Sequence, residues 1–322
     1  MRISLLILLL FLLADVKSQQ WIQFTQLNQY RLYNNTAYTG YNSQIDAVVA
    51  HRSLYVGLGT KAMYSQQAAF GMPVATPKLG LGFRFLNDKI GLQRYSQLEL
   101  SAAYHPLQNK HKLSIGASVG FVQLGLKGNE ITAPDGSYPS GMVVHNDAYL
   151  PNENSNGIAP SFSFGVVYGI KNFEVGASIQ NINSPRIKIS KTQSGTIIFI
   201  NRTINISTLY VIKLKSVNLT PLFYVKTDFL KWQMQLQAML EWKKLMIGAG
   251  FRGYNGLNND AVFGIIGLNI NDRYKVGYSY DYNLSYLNNS NTGSHELSFR
   301  LNINKGFKGI SKENILFNPR FL

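Results

Sequence analysis

The stretch from Trp232 to Trp242, WQMQLQAMLEW, restricts the chain more than any other segment. Trp232, Met234, Leu236, Ala238, Leu240 and Trp242 share one face of an extended strand. Gln233, Gln235, Gln237, Met239 and Glu241 share the other. Side chains alternate across a strand, so this is a strict period of two, with an aromatic ring at each end of the apolar face. Ten steps of ~3.4 Å, tilted by roughly 40°, rise about 26 Å, close to the ~25 Å apolar band of a transmembrane barrel. The pattern predicts an all-β chain that crosses a membrane as an antiparallel β-barrel with a polar lumen.

The ends of the chain agree. Residues 1–18 read as a signal peptide, with Arg2 as the positive region, Leu5 to Leu13 as the apolar core, and Val16 and Ser18 at a small-residue cleavage pattern. A mature chain is expected to begin near Gln19. The apolar run is too short to span as a helix, and no later run approaches that length. There is no cysteine, which excludes disulfides, thiolate catalysis and thiolate metal sites. The net charge of +15 first suggests nucleic acid. Its basic residues are scattered instead, many beside tight turns: Lys110 and Lys112, Lys213 and Lys215, Lys243 and Lys244. No nucleic-acid partner is expected.

Candidate strands run 44–52, 62–72, 78–86, 92–104, 111–126, 157–169, 172–182, 204–213, 217–226, 232–242, 245–254, 261–270, 273–283 and 294–304. The expected architecture is a barrel of about 14 strands over 44–304, an even number as single-chain bacterial barrels require. Residues 19–43 form a lead-in placed either in the periplasm or in the lumen, and 305–322 a short periplasmic tail. Short connectors (73–77, 106–110, 170–171, 214–216, 243–244, 271–272) alternate with a set holding the long ones (127–156, 183–203, 284–293). Two short outer connectors, 87–91 and 227–231, strain that parity. Short periplasmic turns and long outer loops are the outer-membrane rule. Within 183–203, Thr196 to Ile200 reads as an extra strand or as an excursion of the wall above the membrane. Asn129 to Tyr138 reads as an ordered hairpin in the longest loop.

Glu174 and Asp281 fall on the polar face of their strands and are expected as lumen charges, with Arg52, Arg84, Arg94, Arg252 and Arg300 as candidate counter-charges. His105 and His111 flank a turn and are expected at a solvated rim. A barrel hydrolase would need converging Ser, His and acid groups. His295 and Glu296 are adjacent on one strand, so they face opposite ways, and no enzymatic activity is expected. The Asn269 to Asp272 and Asp135-Gly136 segments lack the spaced oxygens of a calcium loop. No catalytic residue, cofactor or metal is expected. Tyr138 and Tyr149 in the long loop, and Lys308, Phe317 and Arg320 in the tail, are candidate partner-binding residues.

Several segments resemble the PorP/SprF family of outer-membrane proteins. Gln23-Phe24-Thr25-Gln26, then Asn35-Thr36-Ala37-Tyr38-Thr39-Gly40, is similar to the family's QFTQ…NPAYxG opening, with Thr36 in place of the proline. His51-Arg52 with Tyr55-Val56-Gly57 resembles its R-x-x-W-V-G stretch, with Tyr55 in place of Trp. Gly80-Leu81-Gly82-Phe83 followed by Asn87-Asp88-Lys89-Ile90-Gly91 fits as well. The closing run Gly277 to Phe299 is the most specific match. The resemblance spans about residues 23 to 304. It implies a non-enzymatic component of the type IX secretion and gliding machinery, embedded in outer-membrane lipid. Its implied partners are that machinery on the periplasmic side and a secreted, surface-retained protein such as an adhesin. The alternative is an outer-membrane channel for an apolar or small solute, with the lead-in as a hatch.

Overall fold

The computed structural model describes residues 24–57, 63–74, 76–139, 142–147, 149–189, 196–254, 258–284 and 291–304. Fourteen antiparallel strands close into one barrel. The wall is β1 Gln44–Leu54, β2 Met63–Val74, β3 Thr76–Ile90, β4 Gln93–Gln108, β5 His111–Lys127, β6 Asn154–Ile170 and β7 Phe173–Gln180. It continues as β10 Thr203–Tyr210, β12 Val217–Thr227, β13 Trp232–Trp242, β14 Leu245–Tyr254, β15 Asn258–Asn269, β16 Tyr274–Asn283 and β17 Ser294–Asn304. Each strand pairs with its neighbour in sequence, β1 pairs with β17, and β10 joins β7 to β12. Three short strands complete the set. β8 Arg186–Lys188 and β9 Ile197–Phe199 form a hairpin, and β11 Ile212–Lys213 pairs back on β12.

Burial is inside-out relative to a water-soluble sheet. On β13, Leu236 is exposed while Gln233, Gln235 and Gln237 are buried. The same inversion holds on β5, where Ser114 and Ser118 are buried and Val119 and Phe121 exposed. Apolar residues outward and polar residues inward mark a wall whose outer solvent is hydrocarbon. The upper edge of that belt is visible in the register. Val49, Ala68, Phe85, Leu98, Phe121 and Pro160 form one outward row across β1 to β6. The next row toward the long loops is His51, Gln66, Asn87, Ser96, Gln123 and Ile158.

Several strands run further than the sequence pattern suggests. β3 and β4 continue to a turn at Gly91, where φ is +59°, so the expected outer connector 87–91 is mostly strand. Asn87 stays in the ladder because Gln66 and Arg94 hydrogen-bond its side chain. β4 passes Pro106 through an irregularity between Tyr104 and Leu107. The 183–203 connector carries the β8–β9 hairpin, so Thr196 to Ile200 is largely strand, though not a wall strand. In the longest loop the bridge is Ser137 to Val144, later than the hairpin expected within 129–138.

Residues 24–43 lie inside the barrel. They form one helical turn, α1 Arg31–Asn34, and two 3-10 turns, Thr36–Tyr38 and Tyr41–Ser43. Phe24, Tyr30, Leu32, Ala37, Tyr38 and Tyr41 pack with Val48, Ala50, Ala69, Leu86 and Val167 of the wall. This plug is the apolar core of a barrel whose strands keep their own apolar faces for lipid.

Candidate functional site

The plug is seated by buried polar groups at three places. On the β1, β16 and β17 side, Arg52 reaches Asp281 at 2.8 Å and Glu296 at 3.2 Å. Arg252 contacts Asp281 at 2.5 Å and Asp260 at 2.6 Å. Two guanidinium groups thus face three carboxylates. The plug supplies neutral donors to the surplus negative charge. Thr25 N–H (2.7 Å), Gln26 N–H (3.1 Å) and Tyr30 Oη–H (2.8 Å) all donate to Glu296. Thr25 Oγ1–H donates to Asp281 at 2.8 Å and accepts from Arg52 at 2.6 Å. Gln235 Nε2 donates to Thr25 O at 2.9 Å.

A second seat forms around Glu99, which pairs with Arg84 and accepts from Ser118, Ser161, Ser163 and Gln97. Arg84 also donates to the plug carbonyl Tyr33 O at 2.9 Å. The third lies on the β6 and β7 side. Glu174 accepts from Arg31 at 3.2 Å and from Tyr38 Oη–H at 2.6 Å. Asn35 Nδ2 donates to Val166 O and Ala177 O, each at 3.1 Å. Ser178 Oγ donates back to Asn34 O at 2.7 Å.

The wall yields room for the plug backbone with glycine. A Cβ on Gly116 would lie 2.6 Å from Ala37 N and Thr36 C, and one on Gly80 would overlap Thr39 O. Gly40 itself sits at φ +66° against Met72 O and Gly80 Cα, a left-handed turn that leaves no space for a side chain. The cavity between Arg31, Tyr38, Asn205 and Tyr224 holds about 20 Å3, room for about one water.

Asp281 and Glu174 are both lumen charges, as their strand parity indicates. Asp281 uses Arg52 and Arg252 from the expected set. Arg84 serves Glu99 and Arg300 serves Asp46 at 2.8 Å, while Arg94 bonds Asn87 rather than a carboxylate. Glu174 takes its counter-charge from Arg31 of the plug, which wall periodicity could not reveal. His105 departs from the expectation of a solvated rim. It is buried, with Nε2 3.1 Å from Thr39 O, because the plug fills the space where water was expected. His111 is exposed and bonds Tyr168. His295 faces outward to Tyr278 Oη at 2.7 Å, while Glu296 faces the lumen.

Tyr138 organises its own loop. Its Oη accepts from Ala133 N–H at 2.6 Å and lies 3.0 Å from His145 Nδ1. His145 Nε2 lies 3.0 Å from Gly128 O. Tyr149 is 71% exposed, and its backbone carbonyl accepts from Thr196 of the β8–β9 hairpin. Lys308, Phe317 and Arg320 lie outside the described residues. Among the described residues, no group of three or more His, Asp or Glu side chains is placed to hold a metal.

The segments singled out in the sequence meet at the first seat. Thr25 and Gln26 come from the opening motif, Arg52 from the second, and Asp281 and Glu296 from the closing run. A family model described as type IX secretion system membrane protein PorP/SprF matches residues 16–301. No curated protein matches the chain significantly. Among solved structures, the CymD monoaromatic hydrocarbon channel aligns with a TM-score of 0.53 at 10% identity, over 86% of this chain and 92% of that one. The Pseudomonas putida toluene transporter TodX gives 0.47 at 9% identity, over 85% and 91%. Omp33 of Acinetobacter baumannii gives 0.44 at 10%, over 81% and 99%.

Proposed function

Since the chain belongs to the PorP/SprF family and is an outer-membrane component of the type IX secretion system, we propose that it serves as a non-enzymatic docking barrel that supports export or surface anchoring of a partner protein such as an adhesin. The observation that carries this reading is the seated plug. Its backbone and side chains are bound to buried and part-buried charges on opposite walls, and the cavity beside Arg31 and Tyr38 has room for about one water. A solute route would have to break those charge-assisted bonds, each worth about 1.5–3 kcal/mol. The CymD structure is titled a channel, and its likeness to this chain extends to the fold. The short-turn end is read as facing the periplasm, where the tail 305–322 with Lys308, Phe317 and Arg320 would meet the export machinery. The long-loop end, with Tyr138 and Tyr149, would meet the surface partner.

Deleting residues 131–150 tests the recognition role. Loop shortening has a small conformational cost, so the barrel is expected to assemble and keep its heat-modifiable mobility. Surface retention of exported protein, measured on intact cells, is expected to fall. Unchanged export and retention would remove this loop from recognition. Conductance of the purified barrel in planar bilayers separates the channel alternative, which requires solute-dependent flux with the plug present.

A further inference from the structure

The outward apolar run ends at Phe85 on β3 and at Leu98, its register partner, on β4. Toward the long-loop end the next outward pair is polar, Asn87 opposite Ser96. The pair after that is basic, with Lys89 directly opposite Arg94. Like charges placed directly opposite on one face of a sheet destabilise it. Nothing in the wall offsets this pair. Among the described residues, no aspartate or glutamate falls on the outward face of β1 to β6. Asp88, next to Lys89 in sequence, points into the lumen and accepts from Ser65.

The Arg94 guanidinium is held in place. Its Nε donates to Asn87 Oδ1 at 2.7 Å. Asn87 is fixed in turn, donating to Gln66 Oε1 at 3.0 Å and accepting from Ser96 at 3.3 Å. These neighbours cover it, so Asn87 is only 3% exposed on the outer face of the wall. The bond to Asn87 draws the guanidinium one residue pair down toward the apolar belt. Outward side chains two apart on a strand are separated by ~6.8 Å, which at a tilt of roughly 40° is about 5 Å of height. Headgroups add about 5–7 Å to each side of the hydrocarbon. The guanidinium therefore lies at headgroup depth. With Nε engaged, its two terminal amino groups have no partner among the described residues. Lys89 Nζ lies 5.9 Å from the centroid of the Tyr64 ring, which stacks on His51.

We propose that Lys89 and Arg94 bind a phosphate group of an outer-leaflet glycolipid, whose acyl chains lie on Phe85, Leu98 and the apolar wall beneath. A phosphate between the two cations turns a repulsive pair into a bridged one. Arginine offers parallel N–H donors to two phosphate oxygens, and lysine adds a point charge. Position selects the occupant. The pair faces sideways from the barrel at headgroup depth, directly above apolar wall, so a lipid can meet the cations and the belt at once. The stacked Tyr64 and His51 rings flank the site and suit the sugar that carries such a phosphate. This inference rests on the orientation of the barrel, long loops outside, and is independent of the docking reading.

Native mass spectrometry of the purified barrel in neutral detergent, titrated with diphosphoryl lipid A, tests the site. The expected result is a retained lipid A adduct that dephosphorylated lipid A does not form. Lys89→Gln with Arg94→Gln is expected to weaken the adduct at least tenfold. The same variant should be as stable as the parent in lipid-free detergent, or more so, because the repulsion is gone. Lys243→Gln with Lys244→Gln removes equal charge from the short turn between β13 and β14, and the adduct should persist. If the Lys89 and Arg94 double variant does not assemble, Lys89→Gln alone takes its place, with an expected loss of at least threefold. Affinity unchanged in the assembled variant, or an equal loss in the Lys243 and Lys244 variant, overturns the inference. So does equal retention of dephosphorylated lipid A or of phosphatidylglycerol. Displacement of the adduct by equimolar inorganic phosphate would mark a free-anion site and overturn it as well. A variant less stable than the parent without lipid would make the two charges structural, with the same consequence.

Discussion

The two sides of the plug are held by opposite divisions of labour. On the β1, β16 and β17 side the wall carries all the charge, and the plug contributes neutral donors: two backbone amides, a threonine hydroxyl and a tyrosine hydroxyl. On the β6 and β7 side the plug brings the cation, Arg31, and the wall answers with Glu174 and backbone carbonyls. Burial differs in parallel. Asp281 and Glu296 side chains are fully inaccessible, whereas Arg31 keeps 28% of its side chain exposed. Dry carboxylates in surplus over their arginines need every donor, and removing one leaves an uncompensated charge. A part-buried pair that water can reach is worth less. The first side should therefore act as the lock, and the second as a guide that orients the plug.

The largest effect that tests this asymmetry is Arg52→Met. It leaves Asp281 and Glu296 buried with one guanidinium fewer, and breaking a buried pair costs about 3–5 kcal/mol. Urea unfolding of the refolded barrel, followed by tryptophan fluorescence, should show that loss. Arg31→Met should cost less, about 1.5 kcal/mol, because its pair with Glu174 is only part-buried and water can reach it. Equal losses at the two positions would break the comparison.

Gly116→Val probes the steric side of the same seat. Its Cβ would press on the Thr36–Ala37 backbone, and overpacking of this kind costs about 1–3 kcal/mol. The plug should shift while the barrel persists, so cleavage by trypsin at Arg31 should become faster in folded protein. Gly264→Val is the control, because its Cβ meets nothing within 4 Å. It should change neither cleavage nor stability.

Much of the wall was legible because a period of two is imposed by the membrane on every strand. A slip of one residue would turn Glu174 or Asp281 into lipid, so even the lumen charges could be assigned from parity. The plug was not legible in the same way. Residues 24–43 have no repeating period, and each of their contacts depends on a wall residue distant in sequence, as Thr25 depends on Asp281 and Glu296. His105 failed for that reason: its position near a turn was read correctly, but the plug that buries it was invisible to local pattern. The opening and closing motifs did carry a signal. Thr25, Arg52, Asp281 and Glu296 sit in separate segments that share a family likeness, and their convergence appears only once the barrel closes. The end of the β6–β7 ladder was hidden as well, because the 172–182 strand reads as long from its alternation, whereas β7 ends at Gln180 and the chain turns inward at Ser184 through a left-handed residue.

The smallest effect is the sharpest comparison, since it changes one hydroxyl on each side. Tyr30 donates to Glu296 at 2.8 Å, and Tyr38 donates to Glu174 at 2.6 Å. By distance alone the Tyr38 bond is the stronger. By burial the order reverses, because Glu296 has no water to replace a lost donor, while Glu174 is 12% exposed beside Arg31. Hydrogen bonds to charged groups contribute about 1.5–3 kcal/mol when desolvated. Tyr30→Phe is therefore expected near the top of that range and Tyr38→Phe at or below its bottom. A double-mutant cycle with Glu296→Gln on one side and Glu174→Gln on the other isolates the two couplings. A coupling for Tyr38 with Glu174 as large as that for Tyr30 with Glu296 would mean that bond length, not dryness, ranks these contacts, and the lock would then extend around the whole lumen.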